Sequence, residues 1–160
     1  MSLMKLVRTD SNNPAFRDLT RKLDAELHAR YGRQQAQYDR HNVVDLVKTV
    51  IGYIDEMPIA CGCLKLIASQ TVELKRMYVD QKHRKKGYAV SLLQALEAWC
   101  IELGINTMIL ETGKGQPEAI GLYQKCGFAI TENFGPYIGN TNSVCMQKQL
   151  TSSTTTEIEK

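Results

Sequence analysis

A chain of 160 residues, 43% hydrophobic and 23% charged, has the make-up of one globular domain large enough to bury its own core. A formal charge of +3 suits an anionic small ligand and excludes the broad basic face of a nucleic-acid binder. No apolar run reaches the length of a membrane span and no basic-then-apolar leader opens the sequence, so no membrane partner is expected and the cytoplasm is the expected location.

Lys5 to Arg8 reads as a short first strand. Asn13-Pro14 then reads as an N-cap followed by proline at the first helical position. Phe16, Leu19, Leu23 and Leu27 follow at helical spacing, and this helix should stop before Gly32. The polar stretch 34–42 has no clear period; a short helix or a loop on the acceptor side would both fit it. Lys48–Ile54 and Ile59–Leu66 read as strands joined through Asp55-Glu56-Met57-Pro58 as a hairpin, and Thr71–Val79 is the next strand. Turns this short imply antiparallel pairing.

Leu92, Leu93, Leu96, Trp99, Cys100 and Leu103 then mark a helical stripe that Gly104 should end. Thr107–Glu111 returns to the sheet after that crossover, so part of the sheet should be parallel. Gln116-Pro117 opens another helix ending near Gly127, and Phe128–Thr131 and Ser143–Leu150 close the sheet. The order β-α-β-β-β-α-β-α-β-β describes one mixed α/β domain over residues 4–150. Residues 151–160, rich in Ser and Thr, are expected to form a disordered tail.

The five cysteines, Cys61, Cys63, Cys100, Cys126 and Cys145, include no C-x-x-C pair and have no histidine at zinc-ligand spacing, so no metal site is expected. Cys61 and Cys63 alternate along a strand and should share a face; buried, reduced thiols are the expected state. His28, His41 and His83 are scattered and read as surface residues.

The richest segment is Arg84-Lys85-Lys86-Gly87-Tyr88-Ala89. It follows the strand Val72–Val79 and runs into a helix start. Successive backbone N–H groups at such a junction converge on an anion at the helix's positive end, and Gly87 and Ala89 leave room for phosphate oxygens. A ligand carrying a pyrophosphate is the expectation. Without a ligand, the same segment is a basic strand-to-helix turn.

Arg84-x-x-Gly87-x-Ala89 resembles the Gln/Arg-x-x-Gly-x-Gly/Ala signature of the GNAT superfamily of N-acetyltransferases. Ala119-Ile-Gly-Leu-Tyr123-Gln-Lys-Cys-Gly127-Phe128 resembles its later motif, and the element order is that of the superfamily from Lys5 to Leu150. Glu73–Val79, Leu110–Gly113, Gln116–Ile120 and Phe134-Gly-Pro-Tyr137 are similar to a bacterial group of these enzymes with mostly unassigned substrates. The resemblance implies a mixed, mostly antiparallel sheet flanked by helices, with a splayed strand pair that holds acetyl-CoA. It implies transfer of the acetyl group to a primary amine, on a small molecule or a protein, by direct attack in a ternary complex. A non-catalytic CoA-binding sensor or structural partner, or an enzyme using another acyl group or a hydroxyl acceptor, are the alternatives. Dimer contacts are frequent in the superfamily, so a homodimer is expected.

Carried onto this chain, the resemblance assigns backbone groups of Met77, Tyr78 and Val79 to the pantetheine amides. The amides from Arg84 through Lys85, Lys86, Gly87, Tyr88 and Ala89 fall to the pyrophosphate. Lys82, Lys85 and Lys86 either reach the adenosine-side phosphates or are solvated charges. Glu73 stands where many members place a general base; it is either that base or a surface carboxylate paired with Lys75 or Arg76. Simple alternation would put Glu73, Lys75, Met77 and Val79 on one face unless a bulge intervenes.

Tyr123, four residues after Ala119, is either the acid that protonates the leaving thiolate or a packing residue between helix and sheet. Gln116 replaces the more usual asparagine and either caps the helix, touches the pantetheine, or does neither. Phe134-Gly-Pro-Tyr137 either walls the acceptor pocket or is only a turn. Cys126 and Cys145 lack a neighbouring histidine, which argues against an acyl-cysteine intermediate. Thr112-Gly-Lys-Gly115 lacks the full spacing of a nucleotide P-loop.

Overall fold

The computed structural model describes residues 3–32 and 47–151. The expectations for the polar stretch 34–42, for His41 and for the tail 152–160 lie outside these residues. Seven strands form one sheet: β1 (Lys5–Asp10), β2 (Lys48–Ile54), β3 (Met57–Ala68), β4 (Thr71–Val79), β5 (Thr107–Gly113), β6 (Ala129–Thr131) and β7 (Ser143–Gln149). Their spatial order is β1-β2-β3-β4-β5-β7-β6, and every pairing is antiparallel except β4 with β5. The parallel pair is the one joined through a helix, as a crossover requires.

Helix α1 (Pro14–Tyr31) starts as expected: the Asn13 side chain accepts from the Ala15 N–H at 2.9 Å, and Pro14 fills the first position. Phe16 and Leu19 bury against Ile51, Cys61, Cys63 and Tyr78 on one face of the sheet. Helix α2 (Tyr88–Glu102) buries Leu92, Leu93, Leu96 and Cys100 on the opposite face, with helix α3 (Pro117–Lys125) beside it. The β2–β3 turn is tighter than the expected four-residue hairpin loop. Asp55 and Glu56 both adopt positive φ, and Met57 and Pro58 already belong to β3. Two left-handed residues match the twist of the flanking strands.

Two departures from regular pairing shape the molecule. In β4 the register with β3 shifts: Cys63 faces Lys75 but Cys61 faces Tyr78, so Arg76 and Met77 together stand opposite Gly62. Arg76 takes φ 56°, and its carbonyl receives the Cys61 thiol at 3.4 Å. Gly62 lies opposite the bulge, and a Cβ there would crowd Leu96 Cδ1 at 2.9 Å and the Met77 sulfur at 3.0 Å. The bulge breaks the alternation expected from sequence. Glu73 and Lys75 face the α1 side, whereas Met77 and Val79 pack against the α2 core. The second departure is that β4 and β5 pair only from Thr71–Thr107 to Leu74–Leu110. Beyond that point the two strands carry no mutual ladder, and their ends part.

Candidate active site

Two cavities meet where β4 and β5 separate. The larger, about 410 Å³, runs along the end of β4 and the start of α2. Met77, Tyr78, Val79, Arg84, Lys85, Gly87, Tyr88 and Ala89 all line it. The smaller, about 130 Å³, lies under α1 and over the β4–β5 split. Leu23, Met77, Gln116, Ala119 and Tyr123 line both.

The wall of the larger cavity is main chain. After the short 3₁₀ turn Gln81–His83, Lys85 takes φ 65° and Gly87 takes φ 84° as the N-cap of α2. Left-handed residues in such a turn aim consecutive amides into one concavity, and the first turn of α2 adds amides with no intrahelical acceptor. Nothing lies within 4 Å of where a Cβ on Gly87 would stand, so the backbone there is open to an approaching anion. Among the described residues, the strip of β4 beyond Leu74 has no strand beside it on the β5 side. An extended chain of amides could therefore add to that edge. Anion cradle, open strand edge and cleft are continuous, and together they fit a pyrophosphate carried on an extended amide arm.

Arg84 lines the cleft, and its amide reaches Gln81 O at 3.4 Å. Its side chain folds back: Nε donates to Val79 O at 2.8 Å, and a terminal nitrogen donates to Glu26 Oε1 at 2.7 Å. Arg84 thereby ties the cradle loop to α1, while Lys22 with Asp80 at 3.7 Å and Arg76 with Asp24 at 2.7 Å tie β4 and its exit to the same helix. Lys85 lines the cleft, whereas the exposed Lys82 and Lys86 are not among its lining residues. Half-buried His83 stands 3.4 Å from Asp80. Gln116 gives no side-chain cap to α3; its position between the two cavities is its distinguishing feature.

The smaller cavity is built from side chains. Its α1 wall is Leu23, Leu27 and Tyr31, the continuation of the apolar stripe whose first members fill the core. Its sheet floor is polar and nearly dry: Glu73 is 6% exposed, Lys75 8% and Tyr137 3%. The Tyr137 hydroxyl donates to Glu73 Oε2 at 3.1 Å, and Lys75 Nζ stands 3.3 Å from that hydroxyl and 3.5 Å from Glu73 Oε2. Glu73 is therefore no surface carboxylate. Its partner is Lys75, since Arg76 turns to Asp24. Burial, then the neighbouring Glu73 and Glu111 carboxylates, push the Tyr137 phenol up, so it remains a donor.

Tyr137 reaches the site from the 3₁₀ turn Gly135–Tyr137. Asn133 staples that turn by donating to the carbonyls of Tyr137 at 3.0 Å and Asn140 at 2.9 Å. Phe134-Gly-Pro-Tyr137 is a turn that also brings Tyr137 into the lining of the small cavity. Glu111 was not singled out from sequence. It shares the face of Glu73 and Lys75 across the split, and the Ser143 hydroxyl donates to its carboxylate at 2.7 Å. The available signal was a carboxylate inside an otherwise apolar central strand.

Tyr123 projects from α3 between the two cavities and packs edge-on against Phe128 at 5.7 Å. Burial, then Cys126, raise its pKa above the ordinary phenol value, so it is held protonated. All five cysteines are free. Cys61, Cys63, Cys100 and Cys145 are buried, and Cys61 and Cys63 share the α1 face as expected. Burial pushes the Cys63 thiol up to about 12 and raises Cys126 and Cys145 as well, which leaves none of them poised as a thiolate nucleophile. Among the described residues no group of three His, Cys, Asp or Glu side chains could hold a metal, and no helix is long and apolar enough to cross a membrane.

The comparisons with known proteins agree with this geometry. The chain is 34% identical over 93 residues to an IAA acetyltransferase of Azospirillum brasilense, covering 58% of this chain and 61% of that protein. It is 35% identical over 92 residues to the uncharacterized N-acetyltransferase YsnE of Bacillus subtilis, covering 56% and 61%. The chain thus spans about three-fifths of the length of these relatives. A crystal structure from Klebsiella pneumoniae, assigned as an acyl-CoA N-acyltransferase, superposes with TM-score 0.79 at 28% identity and covers 93% of this chain and 99% of its own. An Elizabethkingia anophelis GNAT acetyltransferase with acetyl-CoA bound shares the fold, with TM-score 0.66, 17% identity, and coverage of 92% and 98%. Because the model of the acetyltransferase (GNAT) family matches residues 10–128, well over half of the sequence, the chain belongs to that family.

Proposed function

We propose that this protein transfers the acetyl group of acetyl-CoA to a primary amine by direct attack within a ternary complex. The observation that carries this reading is the meeting of the two cavities at Tyr123, one built for a pyrophosphate on an amide arm and the other floored by a buried carboxylate. The amides of Lys85 through Ala89 would hold the pyrophosphate, and the free edge of β4 at Met77–Val79 the pantetheine. When bound, acetyl-CoA supplies a thioester carbonyl, the electrophile that an amine attacks.

The chain's own residues divide the proton work. An alkylammonium titrates at about 10.4, so it must lose a proton before it can attack. Glu73 takes that proton, directly or through water, and the tyrosine hydroxyl and lysine ammonium beside it hold its carboxylate in place. As the C–N bond forms and the C–S bond breaks, Tyr123 donates its hydroxyl proton to the departing sulfur. It recovers one from the nitrogen, which sheds its second proton as the amide forms. A phenol of raised pKa recovers a proton readily, which suits repeated turnover.

The test is free-thiol release from acetyl-CoA with a panel of primary amines, confirmed by product mass. Saturable coenzyme binding in calorimetry together with acetylated products is the expected result. Tight binding with no thiol release from any amine would instead leave a coenzyme-binding sensor.

A further inference from the structure

The sheet floor of the smaller cavity carries unequal charges. Two carboxylates, Glu73 of β4 and Glu111 of β5, face one lysine, Lys75. Arg76 also borders the cavity, but Asp24 at 2.7 Å and Thr20 O at 3.1 Å hold its guanidinium toward α1. Lys75 is closest to Glu73 and Tyr137, and the hydrogen bond to Glu111 comes from the neutral Ser143 hydroxyl. Among the described residues the half-buried Glu111 shares its nearby cation with Glu73, so an arriving cation would balance the pair. Burial does push the Glu111 carboxyl upward, with Ser143 and Lys75 opposing and Glu73 adding to the rise.

Resting on the transfer reading above, we infer that Glu111 receives the acceptor's ammonium group, and that the acceptor is a primary amine with no carboxylate beside its nitrogen. The charges of the cavity floor support this. An α-carboxylate entering with the nitrogen would meet Glu73 and Glu111, and like charges brought together suppress the wrong partner. Lys75 offers it no relief, because capturing it would strip Glu73 of its ion-pair partner. Glu111 is thus the recognition carboxylate and Glu73 the base.

Matched pairs decide the matter: cadaverine against lysine, and ethanolamine against serine, each with acetyl-CoA and the full chain, read as free thiol and product mass. The expected result is at least a tenfold higher kcat/KM for the amine of each pair that lacks the carboxylate. Glu111→Gln, which keeps an acceptor for Ser143, should raise the amine KM at least tenfold and leave acetyl-CoA affinity in calorimetry unaltered. Equal or better use of the amino acids overturns the inference, as does an unchanged amine KM in a folded Glu111→Gln protein. Should that variant not fold, the matched pairs on the natural chain still decide. No thiol release from any amine, with the coenzyme bound, would sink the transfer reading and this inference with it.

Discussion

The larger cleft and the smaller cavity share five lining residues and are built on opposite principles. The cleft presents main chain, from the free edge of β4 to the turn Lys85–Gly87, and its parts are contiguous in sequence. The cavity presents side chains brought from α1, β4, β5 and the 3₁₀ turn at Tyr137, more than sixty residues beyond Glu73. A ligand held by backbone leaves a local mark, a glycine between cations before a helix. A ligand held by assembled side chains leaves none, because folding rather than adjacency creates the site.

The contrast can be broken at its junction first. Tyr123→Phe should lower kcat by about a hundredfold or more, the scale of a lost general acid, and leave coenzyme affinity in calorimetry unchanged. Equal loss of affinity would make the residue part of the donor wall only. Tyr137→Phe tests the acceptor side alone. It removes a buried donor to Glu73, so the fold should lose about 1–3 kcal/mol in urea titration, and turnover should fall about tenfold at unchanged coenzyme affinity. Gly87→Val tests the donor side alone. A β-branched residue at φ 84° is strained by about 1–2 kcal/mol, so acetyl-CoA should bind roughly tenfold more weakly, with acceptor KM little changed.

The smallest expected effect is a pH dependence. The folded pKa of Glu111 lies above its unfolded value, so between the two the native state holds more protons and stability falls as pH rises. Glu111→Gln should remove that loss. Its stability relative to the natural chain should improve as pH climbs from below the ordinary carboxylate range through the raised value, in parallel denaturant titrations. No pH-dependent difference would show that Glu111 is not held in a costly setting.

Sequence periodicity placed much of the frame. The bounds of β2 and β4, the Asn13 cap and the apolar stripes of α1 and α2 follow from patterns that repeat within a few residues. The turn into α2 at Gly87 was legible for the same reason, and so was the place of Tyr123, four positions from Ala119 on one helix. The bulge was not. Arg76 is neither glycine nor asparagine, so nothing at its position announces a positive φ, and its ion pair with Asp24 comes from a helix more than fifty residues earlier. The burial of Glu73 was equally hidden, since it depends on a tyrosine delivered by a distant turn. The reach of Arg84 to Glu26 was hidden too, since nothing near position 84 announces a glutamate on the helix overhead.

The extra residue in β4 has a consequence for what this strand can be turned into. Up to Lys75 its odd-numbered members look toward α1; after Arg76 the phase reverses, and Tyr78 takes that direction. One strand thereby presents the charged Glu73 and Lys75 to the smaller cavity and the backbone of Met77–Val79 to the larger. Flattening the bulge with every residue kept would slide the strand by one position against β3, turn Met77 and Val79 toward α1 and drive the Tyr78 ring into the α2 layer. Excising Arg76 would instead leave a regular ladder, Met77 opposite Gly62, with those three side chains on the faces they now hold.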